Sequence, residues 1–232
     1  MIVKPPGMTS FDVVRQVRRS IGVRKVGHAG TLDPAATGLL ILLTGRATRW
    51  QSEFMNLEKE YRATILLGVV TNTLDLESEV TERKNVPEIA KNEVSSLLAD
   101  HFSGEIEQVP PAFSALKRGG VPSYRRARRG EQVTLNPRKV TVHAIDLEAF
   151  LLPEITVRLR CSSGFYVRSL ARDIGQAIGC GGTLKSLVRT RIGPYHLDDA
   201  MSLDELVEEL SISSEPVIPS GDKSCSTGAG LD

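Results

Sequence analysis

GHAGTLDPAATG, residues 27–38, is a glycine-rich polar loop with one acid, Asp33, at its centre, and it runs straight into the apolar stretch Leu39-Leu40-Ile41-Leu42-Leu43. Two roles compete for that acid. Asp followed by Pro suits a helix start, with the carboxylate accepting backbone N–H groups and Pro34 at the first helical position. The other role is chemical. The glycines do not cradle phosphate, since no Gly-Lys-Ser/Thr follows them, and no dinucleotide fingerprint of strand, glycines and helix surrounds them.

Around this loop the chain alternates helical and strand periodicities. Residues 9–21, TSFDVVRQVRRSI, read as a helix capped by Thr9 or Ser10, with Phe11, Val14, Val17 and Ile21 on its apolar face. Residues 39–43 read as a buried strand, and YRATILLGVV (61–70) as another. A helix is expected over 87–102, opened by Pro87, with Ala90, Val94, Leu97, Leu98 and Phe102 on one face. KVTVHAIDLEAFLL (139–152) and EITVRLRCSS (154–163) alternate at period two, and Pro153-Glu154 between them reads as the turn of an antiparallel hairpin. FYVRSLARDIGQAIGCGG then switches to a helix with Leu170, Ile174, Ala177 and Ile178 inward and Gly179 as its stop. SLDELVEEL (202–210) is a short acidic helix, and residues 213–232, small and polar without an apolar period, are expected to be a disordered tail. Helices and antiparallel strands without a βαβ rhythm give an α+β class.

The composition, 41% hydrophobic and 25% charged over 232 residues, is that of a globular protein able to bury a core. No apolar run approaches the roughly 20 residues of a membrane-spanning helix, and the opening MIVKPPGMTS has no secretory apolar stretch. A cytoplasmic protein without membrane contact is expected. Cys161, Cys180 and Cys225 are odd in number and far apart, and the four histidines are scattered. Neither a disulfide framework nor a metal site is expected. The net charge of +1 conceals an asymmetry: residues 199–232 carry eight acids and one base, so residues 1–198 are net +8. The excess concentrates in residues 1–49 and in RGGVPSYRRARRGEQVTLNPRK (118–139). Two such stretches point to a polyanion, with nucleic acid foremost.

Five blocks decide between the roles of Asp33. KPPGMTS (4–10), KVGHAGTLDPAATGLL (25–40), KEYRATILLGVVTNTLD (59–75), QVPPAFSALKRGGVPSY (108–124) and CSSGFYVRSLARDIG (161–175) follow one another in one order. Through them the chain resembles the TruB family of tRNA pseudouridine synthases over about residues 4–205. The resemblance implies a pseudouridine synthase fold, a central mixed, mostly antiparallel sheet flanked by helices. It also implies an isomerase that converts uridine to pseudouridine at position 55 in the T-loop of tRNA, with no cofactor or metal. Asp33 is then the catalytic carboxylate, suited to sugar C1′ chemistry. Arg168 pairs with it and keeps it ionised, and Tyr61 stacks on the base and is placed to take its C5 proton. Tyr166 and Leu187 line the uracil pocket, and His28 lies near the flipped nucleotide.

Arg15, Arg18, Arg19, Arg24 and Lys25 on one side, with Lys117, Arg125, Arg126, Arg128 and Arg129 on the other, would grip phosphates of the T-arm. On this reading residues 1–212 form a single catalytic domain, monomeric, with a basic RNA-gripping insert at about 104–139 and the tail at 213–232. Two departures stand out: Thr71-Asn72-Thr73 replaces the family's frequent Thr-Asp-Thr, and the acidic end leaves no room for the C-terminal PUA domain common in bacterial members. The rival reading is a non-catalytic tRNA-binding or RNA-folding protein of the same fold. Pure binding, however, does not call for Asp33, Tyr61 and Arg168 together.

Overall fold

The computed structural model describes residues 1–213 apart from 115, 119, 120, 128, 130, 132 and 134. The expected tail beyond Ser213, the side chain of Lys117, Arg128 and Cys225 lie outside what is described. In chain order the elements begin with β1 (Ile2–Lys4), α1 (Ser10–Ile21), β2 (Val26–His28), β3 (Thr37–Leu40), β4 (Leu42–Thr44), α2 (Gln51–Asn56) and β5 (Lys59–Leu67). They continue with β6 (Val69–Thr71), β7 (Val80–Arg83), α3 (Lys91–His101), β8 (Gly104–Gln108), β9 (Lys117–Arg118), β10 (Val121–Pro122), α4 (Ser123–Ala127) and β11 (Arg138–Leu151). The last are β12 (Glu154–Cys161), α5 (Val167–Ile178), β13 (Gly182–Ile192), β14 (Tyr195–His196) and α6 (Leu203–Ser213).

One sheet of order β1-β3-β13-β5-β12-β11-β8, with β14 paired to β13, runs through the molecule. Every pairing in it is antiparallel except β13 with β3. This is the mixed, mostly antiparallel sheet expected. Its two faces differ in kind. Tyr61, Ala63, Ile65 and Leu67 of β5 and Ile155, Val157, Leu159 and Cys161 of β12 form one core with Val94 and Leu98 of α3 and Leu170 and Ile174 of α5. The other face carries ion pairs: Glu148 takes Arg62 at 2.7 Å and Arg158 at 2.6 Å, and Glu58 takes Arg191 at 2.8 Å. A buried Leu or Ile contributes about 1.5–3 kcal/mol and a solvent-facing ion pair about 0–1 kcal/mol. Stability therefore resides on the helix-covered face.

Several local expectations need correction. The apolar run 39–43 is not one strand: Leu39 and Leu40 belong to β3 in the main sheet, while Leu42 and Leu43 belong to β4, which pairs with β2. Residues 61–70 also divide, because Gly68 turns at φ +76 and a Cβ there would meet the Lys84 carbonyl oxygen at 2.6 Å. Pro87 does not open α3. The helix starts four residues later, where the Glu93 carboxylate accepts the Ala90 N–H at 2.7 Å. In α1 the Thr9–Asp12 capping box is present, yet Phe11 is exposed and Val13 takes its place inside. In α5 Ala177 is exposed, and Ala171 and Gly175 face inward.

Gly175 is where α5 meets the start of β13. A Cβ on it would lie 2.1 Å from the Gly181 carbonyl carbon and the Gly182 nitrogen, so no side chain fits without lifting the helix. Overpacking of this kind costs about 1–3 kcal/mol. Gly175→Ala should therefore lower the thermal midpoint by about 3–10 °C, read by circular dichroism. An unchanged midpoint would mean the helix does not sit this close.

Candidate active site

Asp33 does not cap a helix. No helix follows it: Ala36 N–H donates to the Asp33 carbonyl at 3.1 Å, closing a tight turn that leads into β3. Freed from capping, its carboxylate faces Arg168. The loop is fastened from several directions. Ser10 is buried, donates to the Leu32 carbonyl at 3.2 Å and accepts the Leu32 N–H at 2.9 Å. Gly7 N–H donates to the Pro34 carbonyl at 2.9 Å, and Glu77 accepts the Ala35 N–H at 3.1 Å. Lys4, fully buried, donates to the carbonyls of Pro5 (2.8 Å), Met8 (2.6 Å) and Pro34 (3.0 Å). Its burial pulls the ammonium down to about 8.

Arg168 stands in the first turn of α5. Tyr166 at the helix start makes no side-chain cap, and Gln108 instead grips its backbone. Its amide oxygen accepts the Tyr166 N–H at 2.8 Å and its nitrogen donates to the Tyr166 carbonyl at 3.0 Å. The guanidinium reaches Asp33 twice, Nε to Oδ2 at 2.8 Å and Nη2 to Oδ1 at 3.2 Å, the parallel fork that suits a carboxylate. Its remaining donors go to the Thr73 carbonyl (2.9 Å) and the Phe113 carbonyl (3.0 Å), with Asp75 Oδ2 at 3.6 Å. Asp75 is itself held by the Thr73 hydroxyl and the Glu77 N–H.

The Arg168 side chain is 8% exposed, whereas that of Asp33 keeps 38% of its surface open. The acid thus sits at the lip of the site with its partner beneath it. Withdrawal from water still pushes the Asp33 carboxyl above its ordinary value. Arg168 opposes that rise, and Asp75 adds to it.

Tyr61 is buried on β5, and its phenol is held above its ordinary range by that burial. Leu187 on β13 and Leu32 of the loop share its apolar cluster. Tyr166 is half-buried, and burial raises its phenol too. Both tyrosines feel the Asp33 charge. His28 is half-buried at the end of β2, held below its ordinary value first by burial and then by Arg189. The structure thus brings Asp33, Arg168, Tyr61, Tyr166 and Leu187 into one neighbourhood. Of the basic residues, Arg15, Arg19, Arg24, Lys25, Arg125 and Arg129 are exposed. Arg18 turns back to the Val26 carbonyl at 3.3 Å, and Arg126 is engaged by Glu131 at 2.6 Å.

Lys4, Thr73, Asp75 and Glu77 carry no role in the sequence reading, although all but Glu77 lie inside the five motif blocks. The acid of TNTLD that meets Arg168 is Asp75, and Asn72 is exposed. The absence of an acid at position 72 therefore leaves the arginine's carboxylate partners intact.

A family model described as TruB family pseudouridylate synthase (N terminal domain) matches residues 18–167, and one described as tRNA pseudouridylate synthase B C-terminal domain matches residues 168–216. The chain is 47% identical over 218 residues to tRNA pseudouridine synthase B of Paenarthrobacter aurescens, covering 91% of this chain and 70% of that protein. It is 44% identical to the Opitutus terrae protein of the same name (89% and 85% covered) and 48% identical to that of Desulfotalea psychrophila (90% and 87%). Among solved structures it is similar to a chain of an archaeal box H/ACA sRNP Nop10-Cbf5 complex, with TM-score 0.69, 26% identity and coverage of 92% and 54%. A Cbf5-Nop10-Gar1 complex gives TM-score 0.69 at 29% identity, with 89% and 52% covered. The chain spans about half the length of those two.

Because folding penalises the Asp33 charge, wild type should gain stability relative to Asp33→Asn as pH falls from 7, on top of a pH-independent loss in the variant from leaving Arg168 without its carboxylate. The penalty is complete above the raised folded value and vanishes as pH falls through the ordinary value of 3.8. The difference between the two should shift in favour of wild type over that same fall, which paired melts at pH 7 and in mild acid would reveal. A gap between the two proteins that stays constant or widens in mild acid would contradict the raised carboxyl.

Proposed function

The chain belongs to the TruB family of pseudouridylate synthases, and from that membership we propose that it isomerises uridine to pseudouridine at position 55 in the T-loop of tRNA. The observation that carries the reading is the forked Asp33–Arg168 pair beside the buried Tyr61 and Leu187. In the reaction the N1–C1′ bond breaks, the uracil turns, and a C5–C1′ bond forms. C5 loses a proton and N1 gains one, so no electrons enter or leave. Asp33 serves the sugar, by attacking C1′ or by removing an adjacent sugar proton. In either role it must be ionised, and Arg168 favours that form. Tyr61 takes the C5 proton, Tyr166 and Leu187 flank the uracil, and His28 stands by the flipped nucleotide.

A base in a folded T-loop is reached only by flipping, at a cost of a few kcal/mol. Stacking on aromatic side chains returns about 1–3 kcal/mol of it. Residues 1–212 act as the catalytic domain, monomeric and cytoplasmic. Exposed Arg15, Arg19, Arg24 and Lys25 hold the T-arm from one side, and Arg125 and Arg129 of the 104–139 insert from the other.

Incubation with an unmodified tRNA transcript, followed by chemical mapping of pseudouridine, should place the product at position 55, and Asp33→Asn should abolish it while binding tRNA within a few-fold. Protection of the T-arm without product would instead identify a binding protein. Since ionised Asp33 is required, the single-turnover rate should fall on the acid side with a midpoint above the ordinary aspartate range. Charge reversal of Arg125 and Arg129 together should flatten the slope of log affinity against log salt by roughly 0.7–0.9 for each phosphate left without its arginine. An unchanged slope would mean that these arginines face away from RNA.

A further inference from the structure

Arg189 lies on β13 directly opposite Tyr61 of β5, so both side chains occupy the same face of the sheet. A register shift between Arg189 and Arg191 separates two residues that would otherwise share a face. Arg191 goes to the ion-paired side, meeting Glu58 at 2.8 Å. Arg189 goes to the apolar side, where it is 1% exposed. Its Nε donates to the Leu39 carbonyl at 2.8 Å and its Nη2 to the Gly30 carbonyl at 3.2 Å, and the register sets it beside Tyr61, whose phenol its charge draws toward the ionised form. No carboxylate lies within ion-pair distance of it among the described residues.

A buried cation without an anion is costly, and carbonyl dipoles compensate it only partly. The cost falls if a negative charge appears beside it. Lys59, two residues along β5 and bonded to the Met55 and Leu57 carbonyls, cannot supply one, nor can His28. Cys161 on β12 is pushed up to about 12 by burial and stays a thiol. Asp33 is committed to Arg168. The group in contact with Arg189 that can become an anion is the Tyr61 phenol.

We propose that Arg189 is the positioning residue for Tyr61, setting a buried cation beside the phenol so that its oxygen can receive the C5 proton. The proposal rests on the reading of Tyr61 as the base. The step balances: the C5–H bond breaks, its electron pair forms the C5–C6 double bond, the N1–C6 π pair moves to N1, which takes a proton from water, and the C5 proton passes to the phenolate oxygen and then to water. Burial alone drives the phenol away from ionisation, and among the neighbours of Tyr61 Arg189 is the strongest influence in the opposite direction.

The test is a phenolate absorbance titration of the tRNA-free protein for wild type, Arg189→Gln and Arg189→Lys, with Tyr61→Phe subtracted to isolate Tyr61. A single-turnover rate-against-pH profile on tRNA accompanies it. Arg189→Gln should raise the Tyr61 ionisation by about one pH unit or more. It should lower the rate at pH 7 about 10–100-fold with tRNA affinity within a few-fold, and recover rate as pH rises. Arg189→Lys, which keeps a charge but not the fork, should show a smaller shift in the same direction, and it carries the test if Arg189→Gln does not melt cooperatively. An unmoved Tyr61 titration, or a rate loss equal at every pH, would make Arg189 a structural buttress and overturn the proposal. Turnover by Tyr61→Phe would overturn the reading of the base as well. An inactive Tyr61→Phe with an unmoved titration would sink the Arg189 proposal alone.

Discussion

The guanidinium of Arg168 is the knot on which the site depends. Burying it is expensive unless each donor finds an acceptor, and those acceptors come from separate segments. Asp33 stands 135 residues away in sequence, Thr73 95 residues and Phe113 55 residues. None of these segments is held by regular secondary structure at the point where it meets the arginine. The arginine is satisfied only when all three arrive, and the carboxylate is oriented only when the arginine is satisfied. Assembly of the site and completion of the fold around α5 are thus one event.

The core and the site were legible to different degrees for physical reasons. The β11–β12 hairpin was readable because one face of each strand meets water, so apolar and polar residues alternate. The central strand β13 escaped notice altogether. Two register shifts break its period, and a buried arginine occupies an inward position where an apolar residue would have signalled a strand. The run 39–43 misled in the opposite way, since five consecutive apolar residues cannot mark where a chain leaves one sheet for another. Asp33 and Arg168 were legible through the motif blocks that contain them. Asp75 was not, because a carboxylate in a polar loop looks solvated until the fold puts a guanidinium beside it.

Gly38 joins these two histories. It is the last glycine of the opening loop, at φ +106, and its Cα lies against the Arg189 backbone, where a Cβ would meet the carbonyl oxygen at 2.4 Å. The parallel pairing of β3 with β13 needs that closeness. The loop that presents Asp33 and the strand that presents Arg189 and Leu187 are therefore set by one close approach. Asp33 and Tyr61 take their positions from a shared seam.

The insert between β8 and β11 belongs to the same arrangement. Its Arg125 and Arg129 are exposed, while at its root the Phe113 carbonyl is a wall of the socket that holds Arg168, and the Val109 carbonyl takes Ser169 and Arg172 of the same helix at 2.8 and 3.1 Å. The basic insert thus shares its attachment with the socket of the Asp33–Arg168 pair.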